Sequence, residues 1–68
     1  MNWKLTVENG EHTAPENVTL MTKIDDEKGE RNVHELKRRG NLWWTPDGEM
    51  YVYYRPTHYA EIDPSQGN

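Results

Sequence analysis

The sequence predicts a small all-β or β-rich α+β fold, a twisted antiparallel sheet of four to five strands. Three observations carry this. Apolar and polar residues alternate with period two over 3–8 and again over 17–24, the signature of half-buried strands. An aromatic hairpin pattern fills 42–54. The chain has 68 residues and only 32% hydrophobic content, with three Trp, four Tyr and no Phe, so a few large side chains must form the core. Residues 1–64 read as a single domain and 65–68 as a frayed tail. Partial closure into an SH3-like roll is compatible with this pattern, as is one short helix near 32–39.

Trp3, Leu5 and Val7 alternate with Lys4, Thr6 and Glu8 as a first strand. Asn9-Gly10 follows as a turn, because both residues tolerate positive φ. Val18, Leu20, Thr22 and Ile24 share one face of a second strand. The charged stretch 25–30, with Gly29 suited to a left-handed position, reads as a hairpin loop.

Residues 31–39 carry two patterns. Asn32 with Glu35 resembles a capping box, and Gly40 a helix C′ residue. The rival is a strand continuing the hairpin. A two-turn helix needs packing to survive, and Val33 and Leu36 offer little, so the strand is the better reading.

Leu42-Trp43-Trp44-Thr45 and Met50-Tyr51-Val52-Tyr53-Tyr54 flank Pro46-Asp47-Gly48-Glu49. A type I turn with a G1 bulge would set Thr45 opposite Glu49, Trp44 opposite Met50 and Trp43 opposite Tyr51. One face is then Leu42, Trp44, Met50, Val52 and Tyr54. The other is Trp43, Thr45, Tyr51, Tyr53 and Arg55. Pro56 ends the ladder and 57–62 forms a last extended segment. The expected core is Trp3, Leu5, Val18, Leu20, Ile24, Leu42, Trp44, Val52 and Tyr54.

Eight basic and twelve acidic residues give a formal net charge of −4. The first thirty residues hold all of it, three lysines against seven acids. This disfavours duplex DNA, where phosphate neutralisation dominates affinity. The length excludes a multidomain enzyme or a dinucleotide-binding unit, and no apolar run approaches the roughly 20 residues of a membrane helix. With no cysteine, there is no disulfide, thiolate metal site or Cys nucleophile. Met-Asn-Trp-Lys-Leu carries no apolar signal region, and a cytoplasmic location is expected.

An opening Trp3, Pro15 in a loop, the apolar strand 18–22, the tryptophans at 43–44 and Thr57-His58-Tyr59 occur in a telling order. That order resembles a family of small phage and prophage proteins of unknown function, which start near Trp-Ile and end near Thr-His-Trp-Met-Pro-Leu-Pro. The likeness would span most of 3–64. Tyr59 stands where the family has Trp, and Ala60-Glu61-Ile62-Asp63 replaces the Met-Pro-Leu-Pro run. The resemblance implies a compact β fold and a phage or mobile-element origin, in a bacterial host's cytoplasm, and no chemistry.

The first candidate site is the strip Trp43, Tyr51, Tyr53 and Arg55, residue types that anchor protein interfaces. It is also the type of surface on which unpaired bases stack. Equally, such a strip can be the second half of the core. The leading expectation is a non-catalytic binding module engaging a host protein. The alternative is a single-stranded nucleic-acid binder that adds Lys37, Arg38 and Arg39. These three cations also fit a solvated hairpin end. A further alternative is an acidic nucleic-acid mimic built on Glu8, Glu11, Glu16, Asp25, Asp26, Glu27 and Glu30.

His12, His34 and His58 lie 22 and 24 residues apart, unlike a local zinc motif, so no metal or cofactor is expected. His58 beside Thr57 reads as a hydrogen-bonding residue at a sheet edge. The acids at 25–27 lack a wall to tune their pKa values, so no enzyme is expected. Exposed edge strands are compatible with a homodimer.

Overall fold

The computed structural model describes residues 2–62, so the 65–68 tail and the expected domain end at 64 lie outside the described residues. Eight strands and, among the described residues, no helix make up the fold. They are β1 (Lys4–Leu5), β2 (Val7–Glu8), β3 (Glu11–His12), β4 (Thr19–Asp26), β5 (Gly29–Arg39), β6 (Leu42–Trp44), β7 (Tyr51–Val52) and β8 (His58–Glu61). Six form one antiparallel sheet in the order β1-β8-β4-β5-β6-β7, while β2 and β3 form a separate ribbon. The all-β expectation holds, with more strands than the four to five expected. The order is linear, so the sheet is open with β1 and β7 at its edges. No helix among the described residues is long and apolar enough to cross a membrane.

β4 and β5 are the spine. Their register runs from Thr19 opposite Lys37 to Asp26 opposite Gly29. Residues 31–39 are therefore strand, because extended backbone sets Leu36 across from Leu20 and buries both. The hairpin loop is tighter than the expected 25–30. Asp26 Oδ1 accepts the Lys28 N–H at 2.9 Å, and the Arg31 guanidinium forks onto both Asp26 oxygens at 2.9 and 3.1 Å. Thr22 faces His34 but Ile24 faces Arg31, so β5 carries one extra residue. Asn32, at φ 56°, takes the left-handed position this bulge requires.

The first expected strand is broken. Thr6 is buried, and its Oγ1 donates to the Pro56 carbonyl at 2.6 Å while its N–H donates to the Thr57 carbonyl at 2.9 Å. That pins the chain at Thr6, so β1 joins β8 and β2 leaves to pair with β3. Asn9 and Gly10, at φ 53° and 78°, close β2 to β3 as the two-residue turn the sequence predicts.

The β6–β7 hairpin corrects the expected register by one residue. Trp43 pairs with Val52 and Trp44 with Tyr51. The closing pair is Thr45 and Met50, whose N–H and carbonyl meet at 2.8 Å. The cause is local. Asp47 Oδ1 accepts the Glu49 N–H at 3.0 Å, and Thr45 Oγ1 accepts the Met50 N–H at 3.3 Å. Those side chains support a four-residue loop where a three-residue one is expected. Because side chains alternate along a strand, the slip turns β6 over, so that Trp43 in place of Trp44 joins Val52 and Tyr54 at the core.

The buried hydrophobic cluster is Ala14, Leu20, Leu36, Trp43 and Tyr59, with Val52 and Tyr54 packed against it. Leu20 was expected there. Trp3, Ile24 and Trp44 are only half-buried. Leu5, Val18 and Leu42 are exposed, at 47%, 46% and 41%. Leu5 lies on an edge strand, Val18 precedes β4, and Leu42 was turned outward by the slip. On the opposite side of the sheet, Trp3 lies 4.4 Å from the Lys23 ammonium. Lys23 is buried and bonded to Glu30 at 2.7 Å.

Candidate binding face on strands β5 to β7

The slip dissolves the strip expected from the sequence. Trp43 is 1% exposed and belongs to the core, because its cross-strand partner is Val52 and not Tyr51. Tyr51 is 56% exposed and Tyr53 98% exposed; Arg55 is exposed beside them in sequence. Trp44 replaces Trp43 as the ring beside Tyr51. Their centroids are 5.3 Å apart and the planes tilt by 59°, the spacing of an attractive aromatic pair.

The basic run divides in the same way. Arg38 pairs with Trp43 and faces inward. It donates Nε to the Ala14 carbonyl at 2.9 Å and Nη1 to the Gly40 carbonyl at 2.8 Å. A Glu16 carboxylate oxygen lies 3.8 Å from its Nη2. Arg38 thus ties segment 14–16 over the core, and leaves the phosphate-binding trio that the sequence suggests. Lys37 pairs with Trp44, and Arg39 with Leu42, so both remain on the outer side. The Arg39 guanidinium sits 5.5 Å from the Trp44 ring and donates to Asn17 Oδ1 at 3.2 Å.

Two parallel rows result. One runs Lys37, Trp44, Tyr51 across three strands. The second runs Arg39, Leu42, Tyr53; Leu42 and Tyr53 line a shared depression of about 160 Å³ with Asn41 and Arg55. Each row places a cation, an apolar side chain and a tyrosine in sequence. Among the described residues neither Lys37 nor Arg39 is in a carboxylate ion pair. Asp47 stands at the rim, its carboxyl held below the usual carboxylate range first by the Thr45 hydroxyl and then by the Glu49 N–H. Burial pushes the Tyr54 phenol up.

Sequence reasoning missed Trp44 and Leu42 as surface residues. The signal was the Thr45-x-Asp47 pair, which fixes the loop length and hence the face.

The acidic residues do not form one free patch. Asp25 and Glu30 hold Lys23, Asp26 holds Arg31 and Glu16 approaches Arg38. The three histidines are separate. His12 Nε2 meets Asn41 Oδ1 at 3.0 Å, and His34 lies on β5. His58 Nδ1 meets Thr57 Oγ1 at 2.7 Å. That hydroxyl also accepts the Asp25 N–H at 2.8 Å, which makes the pair a latch between β4 and β8. Contrary to expectation β8 is internal, between β1 and β4, because the last strand inserts beside the first.

No protein-family model, curated protein or solved structure matches the chain.

Proposed function

We propose that the protein is a non-catalytic binding module and that the outer face of β5, β6 and β7 is its contact surface. The observation that carries this reading is the pair of rows Lys37–Trp44–Tyr51 and Arg39–Leu42–Tyr53. A folded chain with so few apolar residues leaves Tyr51, Tyr53 and Leu42 in solvent, next to two cations that form no carboxylate ion pair among the described residues. Aromatic and arginine side chains grouped on one surface are the composition of an interaction hot spot. The likeness to small phage proteins adds a bacterial setting and a host component as the binding target.

The test is comparative capture from bacterial lysate. The tagged chain is set against a Tyr53→Ala/Arg39→Glu variant and a Lys28→Glu control at the far hairpin. Material held by the wild type and the control but lost by the face variant supports the reading. Identical retention by all three removes this face as the contact surface.

A further inference from the structure

Resting on that reading of the face, we infer that its partner is single-stranded nucleic acid, with bases stacked on Tyr51 and Tyr53 and phosphates held by Lys37 and Arg39. The rows repeat along the strand direction. Lys37 and Arg39 are two residues apart on β5, about 6.6 Å at strand rise, and at the other side of the face Tyr51 lies on β7 with Tyr53 just past its end. An extended single strand presents the same kind of repeat, one phosphate and one base face per step. The heads of Lys37 and Arg39 both lie beside Gly48, with Arg39 over Trp44, so the two cations stand together for the backbone while Tyr51 and Tyr53 offer successive rings.

Ring exposure favours bases over a fixed protein side chain. Tyr53 touches so little of its own chain that it is 98% exposed, and Tyr51 offers more than half of its surface. Stacking on such rings tolerates any base, because every base has a π face. Trp44 is already covered on one side by Arg39 at 5.5 Å, so it serves as the wall between the rows. An open sheet face reached from an edge strand also suits a flexible single strand better than a rigid duplex groove.

Asp47, which the Thr45 hydroxyl and also the charge of Lys37 help to keep ionised, and Glu35 on the same strand as the cations lie near them, but four of the twelve acids behind the net charge of −4 lie at the far end of β5. The acids Asp25, Asp26, Glu27 and Glu30 cluster at the β4–β5 turn, while Lys37 lies seven residues further along β5. That separation is about 23 Å of strand, well beyond a Debye length of roughly 8 Å at physiological salt. Three of those four acids are already occupied by Lys23 or Arg31.

The experiment is fluorescence anisotropy of a labelled oligothymidylate, titrated with the chain at about 50 mM and about 200 mM salt. Saturable binding is expected, weakening about sevenfold over that fourfold rise in salt, as two phosphate contacts on a single strand require. Tyr53→Ala should weaken it about fivefold or more. Its circular dichroism and unfolding midpoint should not change, since the side chain is solvent-exposed. A Lys37→Gln/Arg39→Gln variant should lose most of the salt dependence. A duplex of the same length should bind more weakly than the single strand. No saturable change at low salt overturns the inference, and so does binding that is indifferent to Tyr53→Ala. If oligothymidylate fails but the face variant still loses a lysate protein after nuclease treatment, the contact face stands and its partner is a protein.

Discussion

Trp43 stands across the hairpin from Val52, and its neighbour Trp44 stands across from Tyr51. This single register decides which tryptophan is core and which borders the surface. It follows from a loop closed by the Thr45 hydroxyl and the Asp47 carboxylate. The same alternation turns Arg38 inward and leaves Lys37 and Arg39 outside.

Trp43→Ala should unfold most of the population. Removing a buried aromatic costs about 3–5 kcal/mol, and a chain of this size holds only roughly 3–10 kcal/mol in total. Tyr53→Ala, at 98% exposure, should stay within about 0.5 kcal/mol of the wild type. Urea unfolding followed by circular dichroism separates the two. Equal losses would refute the assignment of these rings to core and surface.

The adjacent arginines should part company. Arg38→Ala removes bonds to the Ala14 and Gly40 carbonyls and should lower stability by about 1–3 kcal/mol. Arg39→Ala should leave the midpoint nearly unchanged. Thermal unfolding of both variants is decisive, and a larger loss for Arg39 would contradict the inward path of Arg38.

Thr6→Val tests the pin between β1 and the segment before β8. The buried hydroxyl donates to the Pro56 carbonyl at 2.6 Å, and an isosteric methyl leaves that acceptor without its donor. A loss of about 1–3 kcal/mol is expected. Thr13→Val, whose hydroxyl bonds the Leu5 carbonyl at an exposed position, should cost less. Amide exchange of Thr6 should quicken in the Thr6 variant.

The β4–β5 turn should give the fold an acid-sensitive element. The Arg31 guanidinium, and then the Lys28 N–H, hold the Asp26 carboxyl down at about 2, below its ordinary 3.8. Between those values the unfolded chain binds more protons than the folded one, so stability rises with pH. The contribution is complete above about pH 4 and is lost as pH falls through the folded value near 2. Asp26→Asn should flatten the unfolding midpoint over that window, and an unchanged slope would show that the pair does not couple to folding.

The Thr45–Asp47 loop should control the hairpin. Asp47→Ala leaves the Glu49 N–H without its acceptor. Faster amide exchange at Glu49 and Met50 is expected, with a lowered unfolding midpoint. Unchanged exchange would mean that the loop length is set elsewhere.

The sequence by itself determined a β-rich antiparallel fold, the Asn9-Gly10 turn, strand β4 with Leu20 and Thr22 inward, and the position of the aromatic hairpin. Each rests on local information: period-two alternation, residues that tolerate positive φ, and turn chemistry. Only the tertiary structure decided the rest. Thr6 breaks the first strand because Pro56 and Thr57, fifty residues away, accept and anchor it. β8 is internal because the last strand inserts between β1 and β4. Trp43 and Trp44 are chemically identical neighbours, so composition cannot tell them apart. A one-residue difference in loop closure sends one under Ala14 and Leu36 and the other beside Tyr51, because alternate side chains of a strand must take opposite faces.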